Sequence, residues 1–389
     1  MQSNHYDMIL FENYLDARNH KIDLLLIAKM LKYAGKNVAI LDIYHQDNMD
    51  EIEGIPVIHH HVPFNDILYD KRRKNPFRRL VERLMYFKIQ YDYMSAVIDE
   101  VKDMADEFYC GSYHLKMAST WFELDKPCYY WGLRSNWMLF SLSKIKGDKF
   151  TAVRLVRLRQ KFFKNKKQKL FVSNEIIKKE FEDLGLSPER MIIRPERVIN
   201  DIGNRYEECL NEKTTFLSIG RLRKEKRIDY VIQEYKKLKE DDTQLFLIGR
   251  TRGKYENKIK ACLTDATNIK RENEYLEYND FISYYRQSHF LVLADIQIKG
   301  TVTNGTMSEA LINYRPVIAP NYSPYKELIE EYQVGILYDP NMPGALSNAM
   351  KQAKQLGTAY FYDNIEQYLK TIMFDTVSKK LAQDIDNKS

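Results

Sequence analysis

The chain alternates short apolar runs with stretches of helical periodicity, and it does so twice. In the second half, Thr215–Ile219, Gln244–Gly249, Phe290–Leu293, Pro316–Ile318 and Val334–Tyr338 read as strands. Between the first two lies a helix whose apolar residues Ile228, Val231, Ile232, Tyr235 and Leu238 recur at the spacing of one buried face. In the first half, Tyr6–Phe11 and Asn37–Asp42 flank a helix over Ile22–Ala34 that Gly35 ends. Further strands are expected at Val57–His60, Phe108–Cys110, Cys128–Trp131, Leu170–Ser173 and Met191–Arg194. Strand–helix alternation of this kind builds parallel sheets covered by helices, so the expected class is α/β with two Rossmann-like domains. Their ligands would lie in a cleft at the carboxyl ends of the strands.

The polar stretch Asn200–Lys213 separates the halves. The expected domains are 1–200 and 213–342, followed by helices over 343–389 that include Phe361–Ile372. The helices around Tyr362 to Met373 are expected to return to the N-terminal domain. A length of 389 residues with 44% hydrophobic and 29% charged residues supports two separate cores. Four scattered cysteines without a CxxC exclude a disulfide scaffold and a zinc knuckle, and suit a reducing compartment. The N-terminus has neither a basic start nor an apolar run, and no stretch of 18 apolar residues occurs, so neither a targeting segment nor a membrane span is expected.

Chemistry concentrates in two segments. The first is Phe216-Leu217-Ser218-Ile219-Gly220-Arg221-Leu222-Arg223-Lys224-Glu225-Lys226. A strand ends at Gly220, and Arg221 and Lys226 follow before a helix. Two cations at a strand's carboxyl end suit a pyrophosphate, whose charge grows as its bond breaks. A solvated basic turn would look the same, since Arg223, Lys224 and Arg227 are also there. The second is Thr301-Val302-Thr303-Asn304-Gly305-Thr306-Met307-Ser308-Glu309-Ala310-Leu311. A Thr/Asn/Gly turn at a helix start offers backbone N–H groups to phosphate, and Glu309 could accept from a ribose diol. Thr306 and Glu309 also have the spacing of a capping box.

In series, the G-R-L-x-x-x-K strand end, the G-x-x-x-E-A-L helix start, Arg315-Pro316-Val317-Ile318-Ala319-Pro320 and Val334-Gly335-Ile336-Leu337-Tyr338-Asp339-Pro340 resemble the nucleotide-binding domain of family 4 glycosyltransferases. Phe171-Val172-Ser173-Asn174, Leu184-Gly185-Leu186 and Arg190-Met191-Ile192-Ile193-Arg194-Pro195 resemble that family's last N-domain strand–helix–strand. The resemblance spans residues 170–340 and implies the two-domain GT-B fold. It implies that Arg221 and Lys226 hold a donor diphosphate, that Glu309 binds the ribose, and that Gly220, Thr303, Asn304, Gly305 and Thr306 contact phosphate or sugar. Arg250 and the loop near Arg271 and Glu272 would border the nucleobase. His114 would stand near the reacting sugar, where the family often places a His; a His satisfied within a loop is the competing reading.

The implied reaction is a retaining transfer from a nucleotide-diphosphate sugar, UDP-linked, with no metal and no cofactor besides that co-substrate. The departing phosphate itself would take the acceptor's proton. The one DxD match, Asp384-Ile385-Asp386, lies in a polar tail, and His59-His60-His61 cannot converge on one ion because successive strand residues alternate faces. The sequence departs from the family at Thr301, where a Glu is usual, at Gly305, one residue closer to Glu309 than usual, and over Glu12–Arg18, which lacks the usual glycines. Thr301 motivates a second reading, a catalytically weak GT-B-like partner subunit that binds nucleotide or glycan without turnover.

The net charge of +6 is local. Residues 71–90 hold eight basic residues and one acid, and residues 144–170 hold eleven and one. The other 41 basic and 52 acidic residues sum to −11. In the first window Leu80, Leu84 and Phe87 share a helical face, with Phe77 one turn earlier. In the second, Val153, Val156 and Phe163 stand among the cations. Basic helices with apolar residues suit an anionic membrane surface, a solvated face or nucleic acid. No nucleic-acid-binding motif accompanies the charge. Members of the family that act on lipid-linked acceptors carry similar segments, so the resemblance implies a peripheral protein on the cytoplasmic face of a bacterial membrane, extending a lipid-linked glycan or surface polysaccharide.

Overall fold

The computed structural model describes residues 5–11, 18–43, 49–61, 76–111, 118–132, 149–202, 209, 211–264, 266, 268–297 and 305–388. The chain divides into two units, Met1–Pro195 with Asp375–Ser389, and Glu196–Phe374.

The first unit is built on eight strands: β1 Tyr6–Phe11, β2 Val38–Asp42, β3 Glu51–Ile52, β4 Ile55–His59, β5 Ala105–Cys110, β6 Cys128–Gly132, β7 Gln168–Val172 and β8 Met191–Ile193. Their order is β3-β4-β2-β1-β5-β6-β7-β8, parallel except for the short β3–β4 pair. β2 and β7 are buried at every position, as strands covered on both faces must be. That burial includes Lys169, whose ammonium donates to Tyr129 Oη at 3.4 Å and to the carbonyl of Lys388, while Tyr129 donates to Glu107 at 3.0 Å. Lys169 is thus a core cation and not part of a solvated basic face.

Two helices carry the basic windows, Pro76–Val101 and Lys149–Lys164. On the second, Leu158 and Phe162 enter the core, and Phe162 rather than Phe163 is the fully buried ring. Lys161 pairs with Glu123, Lys167 with Asp125 at 2.8 Å, and Arg159 donates to the Leu184 carbonyl at 3.3 Å. Arg157, Lys164 and Lys166 remain exposed. The side chains of 76–84 lie outside the described residues. Among the described residues no helix is long and apolar enough to cross a membrane.

The second unit holds six parallel strands: β9 Thr214–Ile219, β10 Thr243–Ile248, β11 Ile269–Glu272, β12 Phe290–Val292, β13 Val317–Pro320 and β14 Gly335–Tyr338. Their order, β11-β10-β9-β12-β13-β14, reverses direction between β9 and β12, where a crevice opens at the carboxyl ends. Five of these strands match the apolar runs. The region of Arg271 and Glu272 is a strand instead of the expected loop: Ile269-Lys270-Arg271-Glu272 forms the sheet edge, half solvated, with too little apolar content to signal itself. On helix Ile228–Lys236, Ile228, Val231, Ile232 and Tyr235 are buried, each worth about 1.5–3 kcal/mol as a covered side chain.

The division at Pro195 precedes the polar stretch 200–213 by a few residues. Ile365 and Leu369 of helix Tyr362–Thr371 pack in the second unit's core. The segment that joins the first unit begins at Asp375, and its Asp386 is gripped by Lys36. The DxD match lies on this helix, Phe374–Asp386, with Ile385 buried.

Candidate functional site

Two glycines shape the carboxyl ends of β9 and β10. Gly220 has φ +103° and Gly249 has φ +121°, both in the region that L side chains rarely adopt. The Gly220 N–H donates to the Ile248 carbonyl at 3.0 Å, and the Gly249 N–H to the Glu272 carbonyl at 2.9 Å. A Cβ on Gly249 would stand 2.0 Å from the Gly220 carbonyl oxygen. The two turns therefore touch, with no room for a side chain between them.

Between these turns and the segment after β11 lies a cavity of about 870 Å³. One wall is Gly220–Glu225, the second Gly249–Arg252, the third Glu274–Leu276 with Tyr278 and Phe281. Arg221 and Arg250, both exposed, line it, as do Arg223, Lys224 and Arg252. Tyr275 and Tyr278 are 79% and 65% exposed. Open aromatic faces beside a cationic rim can receive a planar group. Tyr255 lines the cavity and caps the helix behind it: its hydroxyl accepts from Ile228 N at 2.7 Å and donates to Asp229 at 2.9 Å.

Lys226 occupies a different place. It lines a small gap of about 10 Å³ where β9 and β12 diverge, with Ser218, Ile219, Val292 and Asp295. Burial lowers its ammonium pKa below the usual lysine value; Asp295 opposes that shift and Arg223 adds to it. Asp295 accepts from Tyr325 Oη at 3.0 Å, and the Ile296 N–H donates to the Glu225 carbonyl at 2.8 Å, tying the exit of β12 to the Lys224–Lys226 turn. Arg221 and Lys226 thus belong to one turn but face different spaces, one the cavity and the other the crevice between strands.

The described helix Gly305–Ile312 places Thr306 in its first turn, with Thr306 Oγ1 3.5 Å from where a Gly220 Cβ would stand. Tyr285 donates to the Thr306 carbonyl at 3.0 Å. Glu309 is buried, and its carboxylate lies 3.2 Å from Arg197 Nη2. Burial raises the Glu309 pKa, and Arg197 opposes the rise. The structure therefore gathers Gly220, Gly305, Thr306 and Glu309 near one another and adds Arg197.

Arg271 and Glu272 serve elsewhere. Arg271 donates to the carbonyls of Leu247 and Gly249 at 3.1 and 2.9 Å, to Thr251 at 2.9 Å, and to Glu256 and Asn273 at 3.0 Å each, clasping the ends of β10 and β11. Glu272 pairs with Lys270 at 2.9 Å. The residues that line the cavity beyond β11 are Glu274 to Leu276. His114, Thr301, Thr303 and Asn304 lie outside the described residues. The adjacent histidines diverge: His59 Nδ1 lies 3.6 Å from Asp42, and His60 Nδ1 2.5 Å from Glu100. Among the described residues no group of three His, Cys, Asp or Glu side chains is placed to hold a metal ion.

Sequence reading missed Arg197, Asp295 and the tyrosine wall. Arg197 and Asp295 acquire meaning only when distant strands bring them beside Glu309 and Lys226. Tyr275, Tyr278 and Phe281 had a local signal, aromatic residues in a polar surround, that the strand and helix patterns outweighed.

Two parallel α/β units with a cation-rimmed cavity at the carboxyl ends of the second sheet make up the GT-B architecture, and solved GT-B proteins share the whole fold. Anabaena HepE in complex with UDP superposes with a TM-score of 0.64 at 14% identity, over 98% of this chain and 100% of HepE. The lipopolysaccharide outer core galactosyltransferase WaaB gives 0.64 at 15%, over 98% and 100%. WaaG, a glycosyltransferase involved in lipopolysaccharide biosynthesis, gives 0.60 at 17%, over 96% and 98%. At such identities the likeness is one of fold. Residues 206–368 match the family model of glycosyl transferases group 1. No curated protein sequence matches the chain. Over the matched segment the chain resembles the group 1 glycosyl transferases, and its fold as a whole is that of the GT-B proteins.

Proposed function

We propose that the protein transfers a glycosyl group from a UDP-linked sugar to a lipid-linked glycan or surface polysaccharide, with retention and without a metal. The observation that carries this reading is the cavity itself. Its volume lies in the range of small-ligand sites, about 300–1,000 Å³. Arginines on the β9 and β10 turns offer positive charge to a diphosphate, and the tyrosine wall offers a planar base a stacking surface. HepE, with the same fold, was solved with UDP and with UDP-glucose.

In this reading Arg221 grips the diphosphate from the cavity and Lys226 supports the turn's positive field from the crevice. Charge grows on the leaving diphosphate as the glycosyl bond breaks, and fixed cations stabilise that charge without reorganising. Gly305 and Thr306 present the first turn of their helix to phosphate, and Glu309 takes the ribose diol. Arg250 borders the base. With positive charge supplied by side chains, the transfer needs no metal ion, and the phosphate accepts the proton from the attacking hydroxyl.

The acceptor side rests on the two basic segments, 71–90 and 144–170. Among the described side chains of the second, Arg157, Lys164, Lys166 and Lys167 are exposed, and each cation near an anionic surface contributes about 1 kcal/mol. The protein works in this reading at the inner face of a bacterial plasma membrane.

Donor turnover is the direct test. UDP release from a panel of UDP-sugars, with and without EDTA, is expected to proceed equally in both. Calorimetric UDP binding without release on any membrane extract would instead favour a non-catalytic partner subunit. Co-sedimentation with vesicles containing phosphatidylglycerol is expected, to weaken with salt and to vanish on neutral vesicles; binding indifferent to both would remove the membrane reading.

A further inference from the structure

Arg197 is a cation beside the candidate ribose carboxylate that neither the motifs nor the resemblance assigns. Its guanidinium lies 3.2 Å from Glu309 and 4.0 Å from where a Cβ on Gly305 would stand. Arg197 is half exposed while Glu309 is 7% exposed, so the pair joins a buried carboxylate to the surface where a nucleotide would arrive. The Arg197 backbone is not loosely held. Two residues on, Ile199 N–H donates to the Ile372 carbonyl at 3.0 Å, and its own carbonyl accepts from Phe374 N–H at 2.8 Å. That double bond to a neighbouring segment fixes the base from which the side chain reaches Glu309.

We propose that Arg197 is a positioning residue for donor recognition: it orients Glu309 and keeps it ionised, so that the carboxylate can accept both hydroxyls of a ribose. The proposal rests on the reading of Glu309 as the ribose ligand. A carboxylate in a buried setting tends to take up a proton, and a protonated Glu offers one donor and a poorer acceptor to a diol. Among the described residues the other titratable groups coupled to Glu309 are Tyr278 and Tyr285 of the helix Tyr278–Arg286, both uncharged at neutral pH, with their hydroxyl pKa raised. Arg197 is therefore the cation among these neighbours that favours the ionised form. A guanidinium engages one carboxylate oxygen and leaves lone pairs on the second for the ligand.

The test compares wild type, Arg197→Gln, Arg197→Lys and Glu309→Gln by calorimetry with UDP, GDP and ADP, each also as the 2′,3′-dideoxy form. The wild type is expected to prefer the ribonucleotide by tenfold or more. Arg197→Gln should lose most of that preference, Arg197→Lys should retain part of it, and adding Arg197→Gln to Glu309→Gln should cost nothing further. The pH below which ribonucleotide affinity falls should be higher in Arg197→Gln than in wild type, a change that a merely structural role would not produce. If Arg197→Gln keeps the full ribose preference while losing affinity for both forms alike, Arg197 touches phosphate directly and the proposal is overturned, with the Glu309 reading intact. If the wild type binds both forms equally, or binds none, the Glu309 reading falls and takes the proposal with it.

Discussion

Replacing Lys226 by Met separates function from stability at one position. Met keeps the unbranched length of the lysine stem and removes only its charge. On the functional side, for a diphosphate seated against the mouth of the crevice, a charge about 4 Å from the developing phosphate charge is worth about 4 kcal/mol at an effective dielectric of about 20. That corresponds to roughly a thousandfold in rate. On the stability side, burial holds the Lys226 pKa below its unfolded value of 10.5, so the unfolded chain binds the proton more tightly than the folded one. The charge therefore weakens the fold at neutral pH, and the penalty disappears as pH rises through the folded value toward 10.5. Asp295 loses a favourable neighbour in the variant but keeps its bond from Tyr325 at 3.0 Å. Lys226→Met is thus expected to melt at or a few degrees above the wild type at pH 7, with the margin closing by about pH 10, while UDP release falls by two to three orders of magnitude. Thermal melts across pH and a coupled UDP-release assay read both. Turnover within threefold of wild type would refute the leaving-group role. A melting point several degrees below wild type at pH 7 would refute the burial argument.

Gly249→Ala should lower the melting point and reduce UDP affinity by tenfold or more, because its Cβ would sit 2.0 Å from the Gly220 oxygen at φ +121°. Gly253→Ala, at φ +64° and ψ −144° but with open space around it, should cost about 1–3 kcal/mol and leave UDP binding intact in the same calorimetric series. Arg221→Ala should lower UDP affinity and turnover by orders of magnitude with an unchanged melt, since its side chain is exposed on the cavity wall. His289 accepts from Thr215 N–H at 3.0 Å and has its pKa pushed down to about 4 by burial and Arg315. Its neutral form is the folded one, so stability is lost as pH falls from 6.5 to about 4, by about 3 kcal/mol; melts of His289→Gln over that range should show a shallower decline.

Both sheets were legible for a physical reason: the seven apolar runs expected in the first half are β1, β2 and β4 to β8, and five of the second unit's six strands were read the same way. Strands β9, β10 and β13 are largely buried runs and β14 is half-buried, all bounded by glycine, proline or charged turns, so each states its limits locally. The edge strand β11 carries one apolar residue in four and gives no such signal. The cationic turn was visible because Arg221 and Lys226 are neighbours in sequence. That they face different spaces depends on Gly220 bending the chain at φ +103° and on the helix from Ile228 starting straight after the turn, and neither direction is written in residue types. The capping-box reading of Thr306 and Glu309 failed similarly: the spacing is right, but Thr306 lies inside the helix and the Glu309 carboxylate reaches Arg197, more than a hundred residues earlier.

The crevice between β9 and β12 shows why topology rather than motif decides the site. Were the sheet ordered by sequence, β9 would have β10 as its only later neighbour, and Lys226 would face a helix. The reversal of order instead brings the exit of β12 beside the turn after β9, so Asp295 meets Lys226 and Ile296 N–H ties to Glu225. A lysine in a turn of five charged residues would otherwise be solvated and weak as an electrostatic group. In that crevice it stands in partly dry surroundings, where the field of its charged form on a nearby phosphate is least screened. The turns after β9 and β10 touch at Gly220 and Gly249 because those two strands are sheet neighbours, and that contact sets the cavity wall on which Arg221 and Arg250 stand. Cation placement and cavity shape meet in the one turn that starts at Gly220, so a change that shifts the touching glycines should disturb the cavity wall and Lys226 together.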